Sequence, residues 1–473
     1  MRHYAKFYIR GEWVASASTR TMELVNPATE APFATMTLGS QDDVDRAVAA
    51  AREAFPAYSR TTKAERIELF ESVIDAYSKR QEDLRAAVAE EIGCPVSATV
   101  QVAGPLDHFR QAITTIRDYD FERGLGSTII RREAIGVCGL ISPWNWPVQT
   151  PCVKLSSALA AGCTVVLKPS EFSSTSVVIL AEILHAAGVP KGVFNLVLGD
   201  GPIVGHALCT HPDIDLISFT GSTRAGILVA EAAAPTVKRV AQELGGKSAN
   251  IILPDADLEA AARWNIGRGF FNSGQSCHAP SRILVHETQA DDLLGHLASE
   301  AGKIRIGDPR DPAVTMGPVV NKSQYERIQK YIQIGLDEGA RLVCGGIGRP
   351  EGLTRGYFAK PTVLAAVPPT ATVAQEEIFG PVLVVLTYGS DEEAVEIANA
   401  TPYGLGGYVF TSSPERGKAI GAQLRAGRVF LNGAPGNAAA PMGGYKQSGN
   451  GREMGVFGLE EYLEIKSMFG FAA

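Results

Sequence analysis

Short apolar segments alternate with helix-like segments between residues 135 and 243, and this alternation restricts the fold more than any other feature of the chain. The apolar segments are residues 135–142, 163–167, 193–198, 216–219 and 237–242. Helical patterns separate them, for example over residues 154–161 and 177–187. Apolar strands joined by crossover helices form parallel sheets, because helices then cover both faces of the sheet. The sequence therefore predicts an α/β fold with a Rossmann-like parallel sheet.

The rest of the chain predicts further α/β structure around this sheet. Residues 7–14 alternate around Gly11, which predicts a hairpin, and helical patterns begin at Asp42 and extend over residues 62–91. The second half contains strand candidates at residues 250–253, 282–285, 382–386 and 428–431, and helical patterns at 323–338 and 391–399. With 473 residues the chain is too long for one simple core, so we expect two or three domains.

Composition and charge exclude several classes of function. The net charge of −7 favours solubility and argues against nucleic acid or an anionic membrane as the main partner. No apolar run approaches the roughly 18 residues that a membrane span needs, and the first residues contain no apolar signal segment. The seven cysteines occur singly and never as CxxC, so we expect neither a disulfide framework nor a metal site. We therefore expect a cytoplasmic protein in a reducing environment.

One cysteine lies in a segment that suits a catalytic nucleophile. Residues 270–282 read FFNSGQSCHAPSR, so Cys277 follows small and polar residues that include a glycine. Small residues let a backbone approach a ligand closely, and a thiolate there could attack an electrophilic carbon. The alternative is a buried cysteine that acts as a small apolar side chain, as most free cysteines do.

Three further motifs decide between these alternatives. They are PWNWP at residues 143–147, ELGGKS at 243–248 and EEIFGP at 376–381. With the Cys277 segment, and with Glu243 and Cys277 placed 34 positions apart, these motifs resemble the aldehyde dehydrogenase superfamily. The resemblance runs in order from about residue 8 to about residue 466. It implies an NAD(P)-dependent enzyme of the hydrolytic type that does not transfer the acyl group to coenzyme A.

The resemblance also implies a domain organisation. We expect a Rossmann-like NAD-binding domain over residues 1–115 and 135–245 and a second α/β catalytic domain over residues 246–445. We expect a small β flap for oligomerisation, made of residues 116–134 and 446–473. In the family the end of the chain pairs with the 116–134 region of a partner subunit. This pairing implies a homodimer or a homotetramer.

Aldehyde oxidation requires a nucleophile, donors for the oxyanion and a base that activates water. The resemblance implies that Cys277 is the nucleophile and that the Asn145 side chain donates to the oxyanion, together with the backbone N–H of Cys277. It implies that Glu243 is the base, and that Lys154 and Glu453 connect this base to solvent. Simpler roles are a turn for Asn145 and a surface or helix-capping acid for Glu243. Lys154 and Glu453 could also form a structural ion pair.

The cofactor signal does not follow the usual pattern, because no G-x-G-x-x-G follows the first strand. The resemblance instead implies that the cofactor contacts are Trp144, Lys168, Glu171, Gly201, Gly221, Ser222, Leu244, Glu377 and Phe379. Glu171 can accept hydrogen bonds from both ribose hydroxyls and would repel a 2′-phosphate. This favours NAD, with NADP as the weaker alternative because Lys168 could pair with that phosphate.

The substrate is less well determined than the chemistry. The resemblance implies that the substrate tunnel is lined by Trp146, Thr150, Val153, Ser276 and His278. His278 could hydrogen-bond a substrate group, or it could be an exposed loop histidine. The loop at residues 433–440 has no aromatic residue, where many relatives have one, which predicts tolerance of bulky or aromatic aldehydes. No arginine cluster indicates a carboxylate-bearing substrate, and we expect Arg282 to be structural.

Two other classes remain as alternatives to an NAD-dependent, acid-forming enzyme. One is an acyl-transferring or NADP-preferring variant, although relatives that use coenzyme A generally lack the glutamate found here at position 243. The other is a catalytically silent binding or structural protein that keeps only the fold. The presence of Cys277, Glu243 and Asn145 together favours the enzyme, because function depends on the site and not on the fold.

Overall fold

The structure, a computed structural model, describes residues 1–471. The first half of the chain forms strands β1 (Arg2–Tyr4), β2 (Lys6–Ile9), β3 (Glu12–Ala15), β4 (Thr21–Asn26), β5 (Ala31–Thr37), β6 (Glu122–Leu125), β7 (Thr128–Ala134), β8 (Val137–Ile141), β9 (Thr164–Lys168), β10 (Phe194–Leu196), β11 (Leu216–Thr220) and β12 (Arg239–Glu243). Its helices are α1 (Gln41–Tyr58), α2 (Lys63–Ser78), α3 (Gln81–Ile92), α4 (Val100–Asp118), α5 (Gln149–Ala161), α6 (Ser174–Ala186), α7 (His206–Thr210) and α8 (Thr223–Ala233).

The second half alternates strands and helices in the same way. Its strands are β13 (Ala249–Ile252), β14 (Arg282–His286), β15 (Arg341–Cys344), β16 (Thr362–Ala365), β17 (Val382–Tyr388), β18 (Gly406–Phe410), β19 (Arg428–Leu431), β20 (Gly449–Asn450) and β21 (Leu463–Phe469). Its helices are α9 (Leu258–Gly269), α10 (Ala290–Ala301), α11 (Lys322–Asp337), α12 (Thr372–Gln375), α13 (Asp391–Asn399), α14 (Pro414–Gly421) and α15 (Gly455–Glu461).

The first large sheet has eight strands in the order β20-β12-β11-β8-β9-β10-β2-β3. Strands β8 to β12 are mutually parallel, and the β2–β3 hairpin closes one edge in antiparallel orientation. The predicted parallel sheet and the predicted N-terminal hairpin are therefore confirmed. The carboxyl ends of β8, β9, β11 and β12 lie at one edge of this sheet, which is where ligands bind in such folds.

The second large sheet has seven strands in the order β15-β16-β17-β14-β13-β18-β19, all parallel except for β15. Each face of this sheet has its own apolar cluster. Along β13 and β14, Ile251 and Leu284 belong to one cluster, whereas Ile252 and Ile283 belong to the other. Successive strand residues face opposite sides, so both faces need cover from helices. The predicted second α/β part of the fold is confirmed.

The end of the chain forms a small antiparallel sheet with its own middle region, in the order β21-β7-β6. The register runs from Leu463 opposite Ala134 to Phe469 opposite Thr128. The expectation that the end of the chain pairs with a partner subunit is therefore wrong for this sheet, because Leu463–Phe469 pairs with Thr128–Ala134 of the same chain. The proposed domain boundaries stay a prediction.

Two helical features in the N-terminal region differ from the expectation. The predicted helical region over residues 62–91 is two helices, α2 and α3, which are separated by a turn at Lys79 and Arg80. Helix α4 was not predicted, because Gly104 and Pro105 lie inside it and both residues disfavour helices. None of the helices within residues 1–471 combines the length and the apolar character that crossing a lipid bilayer requires.

Candidate active site

A cavity of about 920 Å³ lies between the two large sheets. Its walls come from loops at the carboxyl ends of β8, β11 and β12 and from segments of the second sheet. Cys277, Asn145 and Glu243 all line this one cavity, although they are far apart in the sequence. A large cavity with a few convergent polar groups is the usual form of an active site.

The segment before Cys277 has an unusual backbone that directs the cysteine into the cavity. Asn272, Ser273 and Gly274 all have positive φ values, of 52°, 56° and 72°. A side chain at position 274 could not fit, since a Cβ there would lie 2.1 Å from the carbonyl oxygen of Gly380. Strained backbone of this kind persists only where neighbouring contacts hold it, and it is common at functional sites.

Hydrogen bonds from three sides hold this segment in place. Ser273 Oγ donates to the carbonyl oxygen of Gly317 over 2.8 Å, and the backbone N–H of Val320 donates to Gln275 Oε1 over 3.0 Å. Asn272 Nδ2 donates to the backbone oxygen of Asn145 over 2.9 Å. The loop that carries Cys277 is therefore tied directly to the loop that carries Asn145.

Asn145 lies in the turn after β8, with only 4% of its surface exposed. Its side-chain Nδ2 donates to the backbone oxygen of Gln275, two residues before Cys277, over 2.9 Å. Gln101 of α4 donates to the backbone oxygen of Asn145 over 3.1 Å. The unpredicted helix α4 thus fixes the turn, and the Asn145 amide points toward the cysteine segment.

Cys277 is half-buried at the cavity wall. Burial raises the pKa of its thiol to about 12, and the charges of Glu377 and Glu243 add to the rise. The backbone N–H groups of Cys277 and His278 favour the thiolate but do not offset these effects. The resting side chain is therefore a thiol that must lose its proton before it can act as a nucleophile.

Glu243 is the last residue of β12, and it is 4% exposed. Its backbone is paired with Gly449 on one side and Thr220 on the other, which fixes its position. Both carboxylate oxygens are buried and make no hydrogen bond to the part of the chain described here. Burial and the nearby charge of Glu453 raise the pKa of Glu243 well above its ordinary value.

Lys154 and Glu453 lie together beside Glu243. Lys154 Nζ is 2.6 Å from Glu453 Oε1 and also donates to Ser218 Oγ over 2.9 Å. The lysine side chain is fully buried, whereas Glu453 lines the cavity. The charge of Glu453 raises the pKa of Glu243, and the charge of Lys154 lowers it. Glu243 is therefore connected to Lys154 and Glu453 through their charges, and no hydrogen bond joins it to either residue in this structure.

The residues expected to contact the cofactor fall into two groups. Those that line the cavity are Trp144, Gly221, Ser222, Leu244, Glu377 and Phe379. The Trp144 and Phe379 rings meet edge to face at 5.4 Å, and burial raises the pKa of Glu377 to about 7. Lys168, Glu171 and Gly201 lie outside the cavity wall. Lys168 ends β9, Glu171 follows it, and Gly201 comes after β10. Lys168 Nζ is 3.9 Å from Glu171 Oε2.

The residues expected to contact the substrate also fall into two groups, those that line the cavity and one that does not. Trp146, Thr150, Val153 and His278 line the cavity. Ser276 does not, because its side chain is buried and accepts a hydrogen bond of 3.2 Å from Trp146 Nε1. The Trp146 ring stacks on His278, with ring centroids 6.5 Å apart.

Several cavity residues were not identified from the sequence. The second sheet and α9 contribute Trp264, Arg268, Tyr408, Arg428 and Phe430. These residues belong to no sequence motif, and they come together only because β18 and β19 are neighbouring strands that lie beside α9. Arg282 is structural as expected, since it is 2% exposed and donates to the carbonyl oxygens of Lys247, Ile397 and Ala398.

Parallel sheets whose carboxyl ends meet at a cavity with a strained, thiol-bearing loop are typical of an enzyme. Among known protein families, the aldehyde dehydrogenase family matches this chain over residues 13–468. The chain therefore belongs to the aldehyde dehydrogenase family.

Individual relatives agree with this assignment. A 3-succinoylsemialdehyde-pyridine dehydrogenase from a Pseudomonas species is 52% identical over 100% of this chain and 99% of its own length. Aldehyde dehydrogenase C from Pseudomonas syringae, solved with NAD+ and octanal, is 49% identical with a TM-score of 0.98 over 99% of this chain and 97% of that chain. Betaine aldehyde dehydrogenase from Staphylococcus aureus, solved with NAD+, is 35% identical with a TM-score of 0.95 over 99% and 95%.

Proposed function

We propose that this protein oxidises an aldehyde to the carboxylic acid with NAD, through a thioester on Cys277 and with water as the acyl acceptor. The observation that carries this proposal is the meeting of Cys277, Asn145 and Glu243 in one cavity. A nucleophile, an amide donor and a carboxylate with a raised pKa are the groups that the reaction requires.

In the first step the Cys277 thiol loses its proton to solvent, and its sulfur bonds to the aldehyde carbon. The electron pair of the carbonyl double bond moves to oxygen, and this oxyanion needs donors. Asn145 Nδ2 is directed at the cysteine segment, where it donates to Gln275 O over 2.9 Å. The substrate oxyanion would take this donor, and the backbone N–H of Cys277 would supply the second. Donors fixed before the reaction begins are worth most, because they need no reorganisation.

The cavity residues fit a dinucleotide. The N-terminus of α8, which Ser222 caps by accepting from Ala225 N over 3.3 Å, faces the cavity and favours an anionic group. The neighbouring Thr220 Oγ1 is buried without a hydrogen-bond partner among the described residues. Glu377 and Phe379 would hold the nicotinamide end, and Glu171 would accept from the adenosine ribose. When bound there, NAD supplies the acceptor for the hydride that leaves the substrate carbon.

The thioester is then hydrolysed by water that Glu243 activates. Glu243 takes one proton from the water as the water oxygen bonds to the acyl carbon, and the carbon–sulfur bond breaks to release thiolate. A carboxylate with a raised pKa holds that proton better than an ordinary one. The raised pKa of Glu243 and the absence of competing hydrogen bonds within residues 1–471 support this role. Lys154 and Glu453 would pass the proton on toward solvent.

The substrate class follows from the shape of the cavity. The loop over residues 433–440 supplies small residues to the wall, while aromatic rings come from α9, β18 and β19. This supports a bulky or aromatic aldehyde. The relative named for a pyridine-bearing semialdehyde is 52% identical, and the relative solved with octanal is 49% identical, which supports an extended substrate.

A homodimer or homotetramer is the assembly that we propose. The strand β21 lies at the edge of its sheet, where Ile465 and Phe469 are 65% and 77% exposed. An apolar edge strand of this kind is normally covered. Light scattering of the purified protein would measure the mass directly, and a monomer would contradict the proposal.

The proposed activity is tested by NADH formation with a panel of aliphatic, aromatic and carboxylated aldehydes. Wild type and Cys277→Ala would be compared with NAD and with NADP. We expect NADH and the acid in equal amounts from wild type, preferentially with NAD, and none from the variant. Normal turnover by Cys277→Ala would show that the nucleophile is another group.

A further inference from the structure

Two arginine side chains in the cavity have no acidic partner. Arg268 at the end of α9 and Arg428 at the start of β19 both line the cavity that contains Cys277. Within residues 1–471, no carboxylate oxygen lies within 4.0 Å of either guanidinium group. Arg416, by comparison, is paired with Asp391 over 2.6 Å at the surface. Burial lowers the pKa of Arg428, so its charge is costly to leave unpaired and an anionic partner would stabilise it.

Aromatic residues fix the position of Arg428. Its guanidinium group lies over the Phe430 ring, 5.1 Å from the centroid, and Phe430 stacks on Tyr408 at 5.3 Å. Trp264 packs against Tyr408 with centroids 5.0 Å apart. Stacking on an aromatic face orients the planar guanidinium group while leaving its edge donors free. Within residues 1–471, no acceptor lies within 3.5 Å of the Arg428 guanidinium group in hydrogen-bonding geometry.

Gly433 keeps this aromatic wall in place. Its φ is +67°, and a Cβ on it would lie 2.4 Å from Trp264 Nε1. A side chain at this position would therefore clash with the indole ring of Trp264. The glycine allows the loop that begins at residue 433 to pass directly over the indole ring. The small residues of this loop and the aromatic wall thus form one continuous surface around Arg428.

Arg268 connects this wall to the nucleophile segment. Its guanidinium group donates to His278 Nε2, and His278 Nδ1 is 3.8 Å from Cys277 Sγ. A guanidinium group has no acceptor, so Nε2 accepts and the neutral ring carries its proton on Nδ1. Burial and the charges of both arginines lower the pKa of His278 well below its ordinary value. His278 therefore adds no positive charge, and its ring lies between Arg268 and the Cys277 sulfur.

We propose that Arg428, with Arg268 beside it, binds a carboxylate on the substrate, so that the preferred substrates are semialdehydes of dicarboxylic acids. This inference rests on the proposed aldehyde oxidation and names the substrate class for it. The aldehyde carbon meets Cys277, and the carboxylate at the other end pairs with the guanidinium groups. A planar guanidinium group binds a carboxylate through two parallel hydrogen bonds, which fixes the orientation of the chain between the two ends.

The test compares straight-chain ω-oxo acids of increasing length with the methyl ester of each. For wild type we expect a higher kcat/KM for the acid than for its ester at one chain length or more. In Arg428→Met the ratio of acid to ester falls on the order of ten- to hundredfold, because a hydrogen bond to a charged group is lost. Arg428→Lys keeps the charge and recovers part of the ratio.

Arg425→Met is the matched control. Arg425 is an exposed arginine three positions earlier, it stacks on Tyr445 at 5.3 Å, and it does not line the cavity. We expect its substitution to leave the acid-to-ester ratio unchanged. A ratio near one in wild type, or a ratio that Arg428→Met does not change, would overturn the proposal.

A binding experiment separates this proposal from the proposed oxidation. Calorimetric titration with a straight-chain dicarboxylate, which is the product of such a substrate, needs no turnover. We expect the dicarboxylate to bind wild type. Arg428→Met should weaken this binding by the same factor as it lowers the acid-to-ester ratio, and Arg425→Met should leave the binding unchanged. Binding that depends on Arg428 without NADH from any aldehyde would contradict only the oxidation. NADH formation with no dependence on Arg428 in either experiment would contradict only the carboxylate site.

Discussion

Lys154 and Glu453 form an ion pair of 2.6 Å in which the lysine side chain has no solvent exposure. The pair joins α5 to the segment before α15, and Ser218 of β11 accepts a second hydrogen bond from the lysine. Its two charges act on Glu243 in opposite directions, since Glu453 raises the pKa of Glu243 and Lys154 lowers it. This pair therefore serves both the packing of the protein and the proton affinity of the proposed base.

Removal of the lysine charge leaves Glu453 without its partner. We expect Lys154→Met to lower the free energy of unfolding by about 3–5 kcal/mol, which is the usual cost of breaking a buried pair from one side. Urea denaturation would measure the change. Lys79→Met is the control, because Lys79 and Asp75 form a pair at the surface with 69% and 68% exposure. That variant should lose less than about 1 kcal/mol, and equal losses would contradict the account.

Glu243→Gln should separate the two halves of the reaction. The amide cannot take a proton from water, so the thioester forms normally and is hydrolysed slowly. We expect a rapid burst of NADH equal to the enzyme concentration, followed by turnover reduced roughly 10²–10⁴-fold. Stopped-flow absorbance would resolve the two phases. Steady turnover at the wild-type rate without a burst would exclude Glu243 as the base.

Asn145→Ala removes the proposed oxyanion donor and also the hydrogen bond to the backbone oxygen of Gln275. We expect kcat to fall by a factor on the order of 10²–10³, as for other donors of this kind. The dissociation constant for NAD, measured by fluorescence titration, should be unchanged and serves as the control. If kcat is retained while NAD binding weakens, the residue shapes the cofactor site instead.

The reactivity of Cys277 should depend on pH and on Glu243. Because its pKa is raised to about 12, the rate of alkylation by iodoacetamide should increase with pH across the neutral and alkaline range. Glu243→Gln removes one of the negative charges that raise this pKa. The variant should therefore be alkylated faster than wild type at the same pH, with the larger difference above the pKa of Glu243. Peptide mapping with Cys277→Ala as the blank identifies the alkylated site. Slower alkylation of Glu243→Gln than of wild type would contradict the inference that the Glu243 charge raises the pKa of Cys277.

Glu171 should control the choice between NAD and NADP. Its carboxylate lies near Lys168, and this carboxylate would repel a 2′-phosphate. We expect Glu171→Ala to raise kcat/KM with NADP relative to NAD by about tenfold or more, since one repulsive charge is removed and Lys168 becomes available. Glu182→Ala, at a partly exposed acid paired with Arg80, is the control. An unchanged preference for NAD over NADP in Glu171→Ala would show that Glu171 does not contact the adenosine ribose.

The parallel strands, and the meeting of Asn145, Glu243 and Cys277 in one cavity, could be predicted from sequence for a physical reason. Apolar strands joined by helices have few alternative arrangements, and polar residues at strand ends collect at one edge of the sheet. Asn145 follows β8 and Glu243 ends β12, so both lie at that edge. Cys277 could be placed with them because its motif and theirs occur together in one family.

Other features of the fold and the site could not be predicted, because they depend on contacts between residues that are far apart in the sequence. Helix α4 contains Gly104 and Pro105, and packing of its buried face outweighs their low propensity. Arg268 and Arg428 belong to no motif, and they meet only through the neighbouring strands of the second sheet. The pairing of β21 with β7 was assigned to a partner because sequence does not distinguish intrachain from interchain pairing.

Cys277 carries the acyl group in the proposed mechanism, and trapping that intermediate tests the mechanism most directly. Glu243→Gln would be mixed with NAD and a good aldehyde substrate, quenched in acid and digested for mass spectrometry. We predict one acyl group per chain on the peptide that contains Cys277, and no adduct when NAD is omitted or when Cys277→Ala is added to the variant. An acyl group on another residue, or NADH formation with no covalent adduct, would contradict the account.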